Sequence, residues 1–305
     1  MTSEFVHLHN HSDYSLLDGA QRIDQLVNTI DDLNMDAVAL TEHGNMFSVL
    51  PYYKQAKNSG IKPIIGCEIY VAIGSRFEKK ARSDGGWGNN HLILLAQNFT
   101  GYRNLMKLVT AGYLEGFYYR PRIDMDLLRE YNEGLICMSA CLKGVVPEKM
   151  LKGDYNGARE EALVFSEIFQ DRYYLEIQNH GIPEEEQNLK NMKKLSQDLN
   201  LPLVCTNDAH YAKKEHWEAH DIHICLGTGK ERSDPNRLRY ATPEFYFKTQ
   251  DEMHKLFKEF PGAIENTRKI ADSIDITLPI GESHLPNFPI PKEANTSDPD
   301  EYLKS

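Results

Sequence analysis

Short apolar runs separated by stretches of helical periodicity constrain this chain more than any other feature. Seven runs have strand length: residues 5–9, 37–41, 64–71, 92–96, 135–139, 173–178 and 203–206. Between them, Ile23, Leu26, Val27, Ile30 and Leu33 share one helical face, as do Tyr102, Leu105, Met106 and Val109. Ala158, Ala162, Phe165 and Phe169 repeat the pattern, followed by Leu189, Met192, Leu195 and Leu199. Strand and helix in alternation predict an α/β fold with a mostly parallel sheet and helices outside it. Seven strands over roughly 210 residues fit a closed barrel, with an open doubly wound sheet as the alternative. A barrel would place function at the C-terminal ends of its strands.

The 305 residues allow one large domain or two ordinary ones. Two further helical stretches are expected at residues 213–226 and 251–274, the second interrupted by Pro261 and Gly262. Beyond Ile276 the chain turns proline-rich and aperiodic, so residues 1–276 read as the folded domain and 277–305 as a linker leaving it, with a helix starting near the end. No apolar stretch approaches the roughly 18 residues of a membrane helix, and the N-terminus has no secretion signal, which predicts a cytoplasmic protein without a membrane partner. Five scattered cysteines without a C-x-x-C pair predict reduced thiols. The net charge of −11 is unfavourable for a protein whose only task is to grip a phosphate backbone, but an acidic chain with 12 histidines suits a metal site.

The acids and histidines fall where a barrel would use them. His9 and His11 end the first strand two residues apart and so share one side of it. His7 has the same parity but lies deeper and reads as a packed core histidine. The second strand ends in Thr41-Glu42-His43, the third carries Glu68, and the last runs into Asp208 and His210. Imidazoles and carboxylates converging from successive strand ends are the raw material of a Zn, Mn or Fe site. His91 begins its strand rather than ending it, so either strands three and four form a hairpin or it reaches in from the loop at residues 74–90. Cys141 follows the fifth strand and is either a soft ligand or a small buried apolar residue.

The segments HLHNHS, LTEHGN, GCE, SAC and TNDAH resemble successive motifs of the polymerase and histidinol phosphatase (PHP) family. SLLDGA, IKPIIGCEIYVA, FTGYRNLMKLV, YLEGFYYRPRID and YLEIQNHG are similar to the PHP domain of bacterial replicative DNA polymerase alpha subunits. The resemblance runs from Phe5 to about Ile276 and implies a distorted seven-stranded (β/α)7 barrel of PHP type. It also implies two or three divalent ions. His9, His11, Glu68 and Asp208 would hold one. Glu68 would bridge to a second on His91 and Cys141, and Asp18, His43 and His210 would hold a third. Asp18 enters only through the resemblance, since by itself it reads as a turn residue before Gly19. Glu42 stands where many relatives have aspartate.

The implied chemistry is metal-dependent phosphodiester hydrolysis, a 3′–5′ proofreading exonuclease acting on DNA 3′ ends, with Asp208, Glu68 and His43 at the reacting centre. Arg120 and Arg122 are either phosphate-binding groups or solvated loop charges. The expected partners are DNA, the remainder of an alpha subunit and a separate proofreading exonuclease subunit. Two other readings stay open: a catalytically silent platform docking those partners, and a free-standing small-phosphate hydrolase such as histidinol phosphatase. Polymerase activity is not expected of these residues. Three further features read as structural. His216, His220 and His223 form a surface or packing stripe, Gly227-Thr228-Gly229-Lys230 lacks the pattern of a phosphate loop, and Glu184, Glu185 and Glu186 suit the dipole of a helix start.

Overall fold

The computed structural model describes residues 3–80, 88–283, 285 and 288–304. Its strands are β1 (Ala37–Leu40), β2 (Lys62–Ala72), β3 (Asn89–Ala96), β4 (Arg122–Ile123), β5 (Leu135–Met138), β6 (Tyr173–Ile177) and β7 (Leu203–Cys205). The helices are α1 (Ile23–Asp32), α2 (Val49–Asn58), α3 (Phe99–Leu114), α4 (Met125–Glu130), α5 (Val145–Leu151), α6 (Tyr155–Phe169), α7 (Pro183–Leu199), α8 (Trp217–Thr228), α9 (Gln250–Phe257), α10 (Ala263–Ser273) and α11 (Pro299–Lys304).

The main sheet runs β1-β2-β3-β5-β6-β7, with the short β4 paired to the end of β2. All neighbours are parallel except β3, which is antiparallel to both β2 and β5. Closure comes from residues 5–11, which contain the first of the expected strands, residues 5–9. They form isolated bridges instead of a regular ladder: His7 pairs with Val38, and Asn10 pairs with Ala209. The amide of Ala39 donates to His7 at 2.8 Å, and that of His11 donates to Ala209 at 2.9 Å. This segment therefore joins both edges of the sheet and completes a distorted seven-staved α/β barrel. The hairpin reading of β2 and β3 holds, because Tyr70 faces His91 and Glu68 faces Ile93 in antiparallel register. Reversed polarity is why the start of β3 lies at the barrel end where its parallel neighbours finish.

Helix faces follow the periodicity in α1 and α6, whose buried residues include Ile23, Leu26, Val27 and Ile30, and Ala158, Ala162, Phe165 and Phe169. In α3 the face is rotated from the expected one. Leu105 and Leu108 are buried with Gly101 and Gly112, while Met106 is exposed. The cause is close backbone packing, since a Cβ on Gly101 would lie 1.7 Å from the Gly134 carbonyl oxygen. The glycine side of the helix is the one that can approach the barrel. The chain breaks between α9 and α10 around Pro261 and Gly262. Ile274, Ile276 and Leu278 alternate into the core before the chain becomes exposed. No described helix is long and apolar enough to cross a membrane.

Candidate metal centre

His9 and His11 leave the closing segment on the same side and are both fully buried. His43 follows β1 and bridges to Glu68 on β2. The loop there turns at Gly44 (φ 63°), where a Cβ would come within 2.8 Å of Pro121 and 2.9 Å of Tyr70. Only glycine fits. Cys141 and Asp208 follow β5 and β7. Ala140 (φ 63°) and Asp208 (φ 45°) hold left-handed backbone that costs a non-glycine residue about 1 kcal/mol or more. The strained backbone lies at or beside the two side chains, Cys141 and Asp208, that belong to the ligand groups. Asp18 sits in a turn closed so tightly that a Cβ on Gly19 would lie 1.8 Å from the Ser12 carbonyl oxygen. Buried Glu42 anchors that turn, accepting hydrogen bonds from the Ser12 hydroxyl, the Ser12 amide at 3.1 Å and the Ser15 hydroxyl at 2.5 Å.

These side chains converge. His9 Nε2 lies 3.0 Å from Glu68 Oε2 and 3.2 Å from Asp208 Oδ1. His11 Nε2 is 3.1 Å from Asp208 Oδ1 and 3.9 Å from Glu68 Oε2. The other Glu68 oxygen, Oε1, faces His91 Nδ1 at 2.7 Å and His43 Nδ1 at 2.8 Å. Cys141 Sγ lies 3.8 Å from His91 Nδ1, and His43 Nε2 lies 3.1 Å from Asp18 Oδ1. His210 stacks near His11 with ring centroids 4.5 Å apart. Three overlapping ligand groups result: His9, His11, Glu68 and Asp208; Glu68, His91 and Cys141; and His11, His43 and His210. Asp18 adjoins the last through His43.

The donor atoms fit divalent cations better than they fit one another. His11 Nε2, His43 Nε2, Asp18 Oδ1 and Asp208 Oδ1 are buried without a hydrogen-bond partner, although close pairs lie 3.1 Å apart. They are in reach but not aligned as donor and acceptor. Each such group costs about 1–3 kcal/mol unless something satisfies it. Nitrogen, carboxylate and thiol donors in this mixture suit Zn, Mn or Fe.

The electrostatics hold the carboxylates ionised and His11 neutral, the forms in which they bind a cation. Burial opposes ionisation of Glu68, but the charges of His91 and His43 outweigh it and hold its carboxyl well below the usual range. Asp208 is held down in the same way by His9 and His210 against burial. Burial, with His43 and His210 nearby, lowers His11 to about 3, leaving a neutral ring. Burial, reinforced by the Glu68 and Asp208 charges, pushes the Cys141 thiol up, so its thiolate needs a cation beside it.

Several contributors are absent from the sequence reading. Buried Glu176 on β6 accepts from His9 Nδ1 at 2.7 Å, from the Thr206 hydroxyl at 2.5 Å and from the Ala140 amide at 3.0 Å. The alternation Leu175-Glu176-Ile177-Gln178 carried the signal, since polar residues two apart in a buried strand face one side. Glu185 is in the first turn of α7 as read, and it also lies 2.5 Å from His180 Nδ1, while His180 Nε2 donates to the carbonyl of Asn207 beside Asp208. Tyr240 reaches His210 from the segment between α8 and α9.

The reading of Arg122 as a phosphate-binding group is corrected. It is buried, and its guanidinium donates to the carbonyls of Gly116, Gly88, Arg76 and Glu78, where it ties loops together. Arg120 is different, lying 5.7 Å from the ring of Tyr70, which packs against His91. The histidine stripe is packing, as expected. His216 is exposed, and His220 is buried with Nε2 donating to the Asp18 carbonyl at 2.7 Å. His7 is also a core residue, bonded to the Lys248 carbonyl at 2.9 Å.

Fold and site together define an α/β barrel with a buried histidine-carboxylate-thiol centre suited to divalent metal. The model of the PHP domain matches residues 7–180. The chain belongs to the PHP domain family. It is 49% identical over 305 residues to the DNA polymerase III subunit alpha of Borreliella burgdorferi, a match covering 99% of this chain and 26% of that protein. The corresponding protein of Treponema pallidum is 46% identical over 295 residues, covering 96% of this chain and 25% of the relative. That of Thermus aquaticus is 41% identical over 297 residues, with 95% and 24% covered. The chain thus spans about a quarter of the length of these relatives. A solved structure described as a metal-dependent phosphoesterase from Bifidobacterium adolescentis is 11% identical, with a TM-score of 0.41, covering 83% of this chain and 95% of that one.

Proposed function

We propose that this chain is the PHP domain of a bacterial replicative polymerase alpha subunit and that its centre hydrolyses phosphodiesters, removing nucleotides from DNA 3′ ends. The observation that carries the reading is the convergence of nine donor side chains, several with buried atoms left unpartnered, at one barrel end. On this reading residues 1–276 form the metal-binding domain, and 277–305 lead toward the polymerase body.

His9, His11, Glu68 and Asp208 would hold one ion, Glu68 with His91 and Cys141 a second, and Asp18, His43 and His210 a third. Ions held there would make a hydroxide nucleophile available at neutral pH and would offset charge developing on the phosphate. The two oxygens of Glu68 face different ligand groups, which suits a shared carboxylate. Glu176 fixes the His9 ring so that Nε2 faces the centre. Arg120 stands near His91 by way of Tyr70 and would pair with a phosphate oxygen.

A silent platform for the polymerase body or a separate proofreading subunit is the second reading. The net charge of −11 favours it, because an acidic domain grips DNA weakly. Release of nucleotides from 3′-labelled single-stranded and mismatched primer DNA, with Mn or Zn at low salt, decides between the two. Wild type should cleave and Asp208→Asn should not, while remaining folded. Equal inertness of both would establish the platform. Cleavage of a small phosphomonoester alone would point to a histidinol-phosphatase-like hydrolase.

A further inference from the structure

The three donors at the third ligand position are not equally available. His210 Nδ1 lies 2.7 Å from the backbone carbonyl of Asp208. A carbonyl can only accept, so Nδ1 carries the ring proton and Nε2 carries the lone pair. The Tyr240 hydroxyl sits 2.8 Å from that Nε2 and can only donate to it, with Asp18 Oδ2 further off at 3.4 Å. His43 Nε2 and Asp18 Oδ1, by contrast, have no hydrogen-bond partner and face only each other, at 3.1 Å, as two members of the same ligand group. Only His210 Nε2 is capped by a group outside the ligand set.

The cap is held in place. The Tyr240 ring meets Phe245 edge-on with centroids 4.5 Å apart, and His220 at 4.9 Å. His220 itself donates to the Asp18 carbonyl. The segment before Tyr240 is pinned by Arg237, whose guanidinium reaches Asp221 at 2.6 and 2.8 Å, with Arg232 adding a contact at 3.2 Å. A phenol fixed from three sides is a standing competitor for the His210 lone pair.

We propose that Tyr240 sets the metal stoichiometry of the centre, competing with a divalent cation for His210 Nε2 so that the third position is filled more weakly than the two sharing Glu68. The inference rests on the reading of the centre as a metal site. Tyr240 must yield its hydrogen bond when His210 ligates, and an intramolecular hydrogen bond of this kind corresponds to roughly a 2- to 10-fold change in affinity. At the neighbouring positions the donors contact one another, as His9 Nε2 does Glu68 Oε2 and His91 Nδ1 does Glu68 Oε1, and a cation satisfies both members of such a pair at once.

The test is calorimetric titration of metal-stripped full chain with Mn2+ and with Zn2+, joined to elemental analysis after gel filtration. Wild type should take up two ions tightly and a third more weakly. Tyr240→Phe, which keeps the ring and its packing, should tighten only the third step, by roughly 2- to 10-fold. Tyr240→Leu should do the same, and far-UV circular dichroism checks that both variants fold. An unchanged or weakened third step in Tyr240→Phe overturns the inference, the weakened case marking the phenol as support for the ion. Uptake of no ions by wild type would overturn the metal-centre reading together with it, so the two failures are told apart.

Discussion

His9 Nδ1 donates to Glu176 Oε1 at 2.7 Å, and both side chains are buried. That bond keeps a proton on Nδ1 and turns Nε2 toward Glu68 and Asp208. Burial disfavours a charged His9 ring, but Asp208 and Glu176 outweigh it and raise its pKa. Glu176→Gln keeps the shape and removes the charge. Its expected effect is a 10- to 100-fold loss of metal affinity, read by competition with a fluorescent chelator. An affinity unchanged within about 3-fold would mean that the carboxylate only fills space.

Metal removal should destabilise the barrel, because the buried donor atoms of His11, His43, Asp18 and Asp208 are then left without a partner. At an ion concentration a thousandfold above Kd, binding contributes about 4 kcal/mol. For a chain of this size, that corresponds to a fall in Tm of roughly 8 °C on adding a chelator. Differential scanning calorimetry with and without chelator checks it, and coincident transitions would contradict a buried shared site.

Arg122 and Arg120 should separate in their effects. Arg122→Met strands the carbonyls of Gly116, Arg76 and Glu78 and should cost about 3 kcal/mol in urea unfolding, with KM for a phosphodiester unchanged per folded molecule. Arg120→Ala should raise KM several-fold. A raised KM for Arg122→Met in folded protein would restore it as a substrate contact.

Asp124 offers a pH-dependent stability term away from the centre. It caps α4 through the Leu127 amide at 3.2 Å and pairs with Arg76 at 3.0 Å. Burial pushes its carboxyl up, but hydrogen bonds from the Arg76 and Leu127 amides and from the Arg76 guanidinium outweigh it and hold the pKa low. A depressed pKa means that the unfolded chain binds the proton first, so the stabilisation is complete above the unfolded value near pH 4 and is lost as pH falls through the folded value. Asp124→Ala should therefore cost about 1 kcal/mol at pH 7 and progressively less below about pH 4. Denaturant melts across that range read the difference between the two proteins.

The sequence by itself determined the seven staves, the helices between them and the shared side of His9 and His11, because strand and helix periodicities are local properties of neighbouring residues. It left open whether His91 reached the site by a hairpin or a loop, and the antiparallel register of β2 and β3 decided that. Spacing had no means of selecting Asp18, whose turn is fixed by Glu42 through Ser12 and Ser15 from the end of the neighbouring stave, β1. Nor could it assign Glu176 to His9, Tyr240 to His210, or Arg122 to four backbone carbonyls instead of a phosphate. Each of these pairings joins separate segments of the chain. Those of Glu42 and Glu176 depend on residues 5–11, which close the sheet between β1 and the end of β7 and bring distant strand ends to one point.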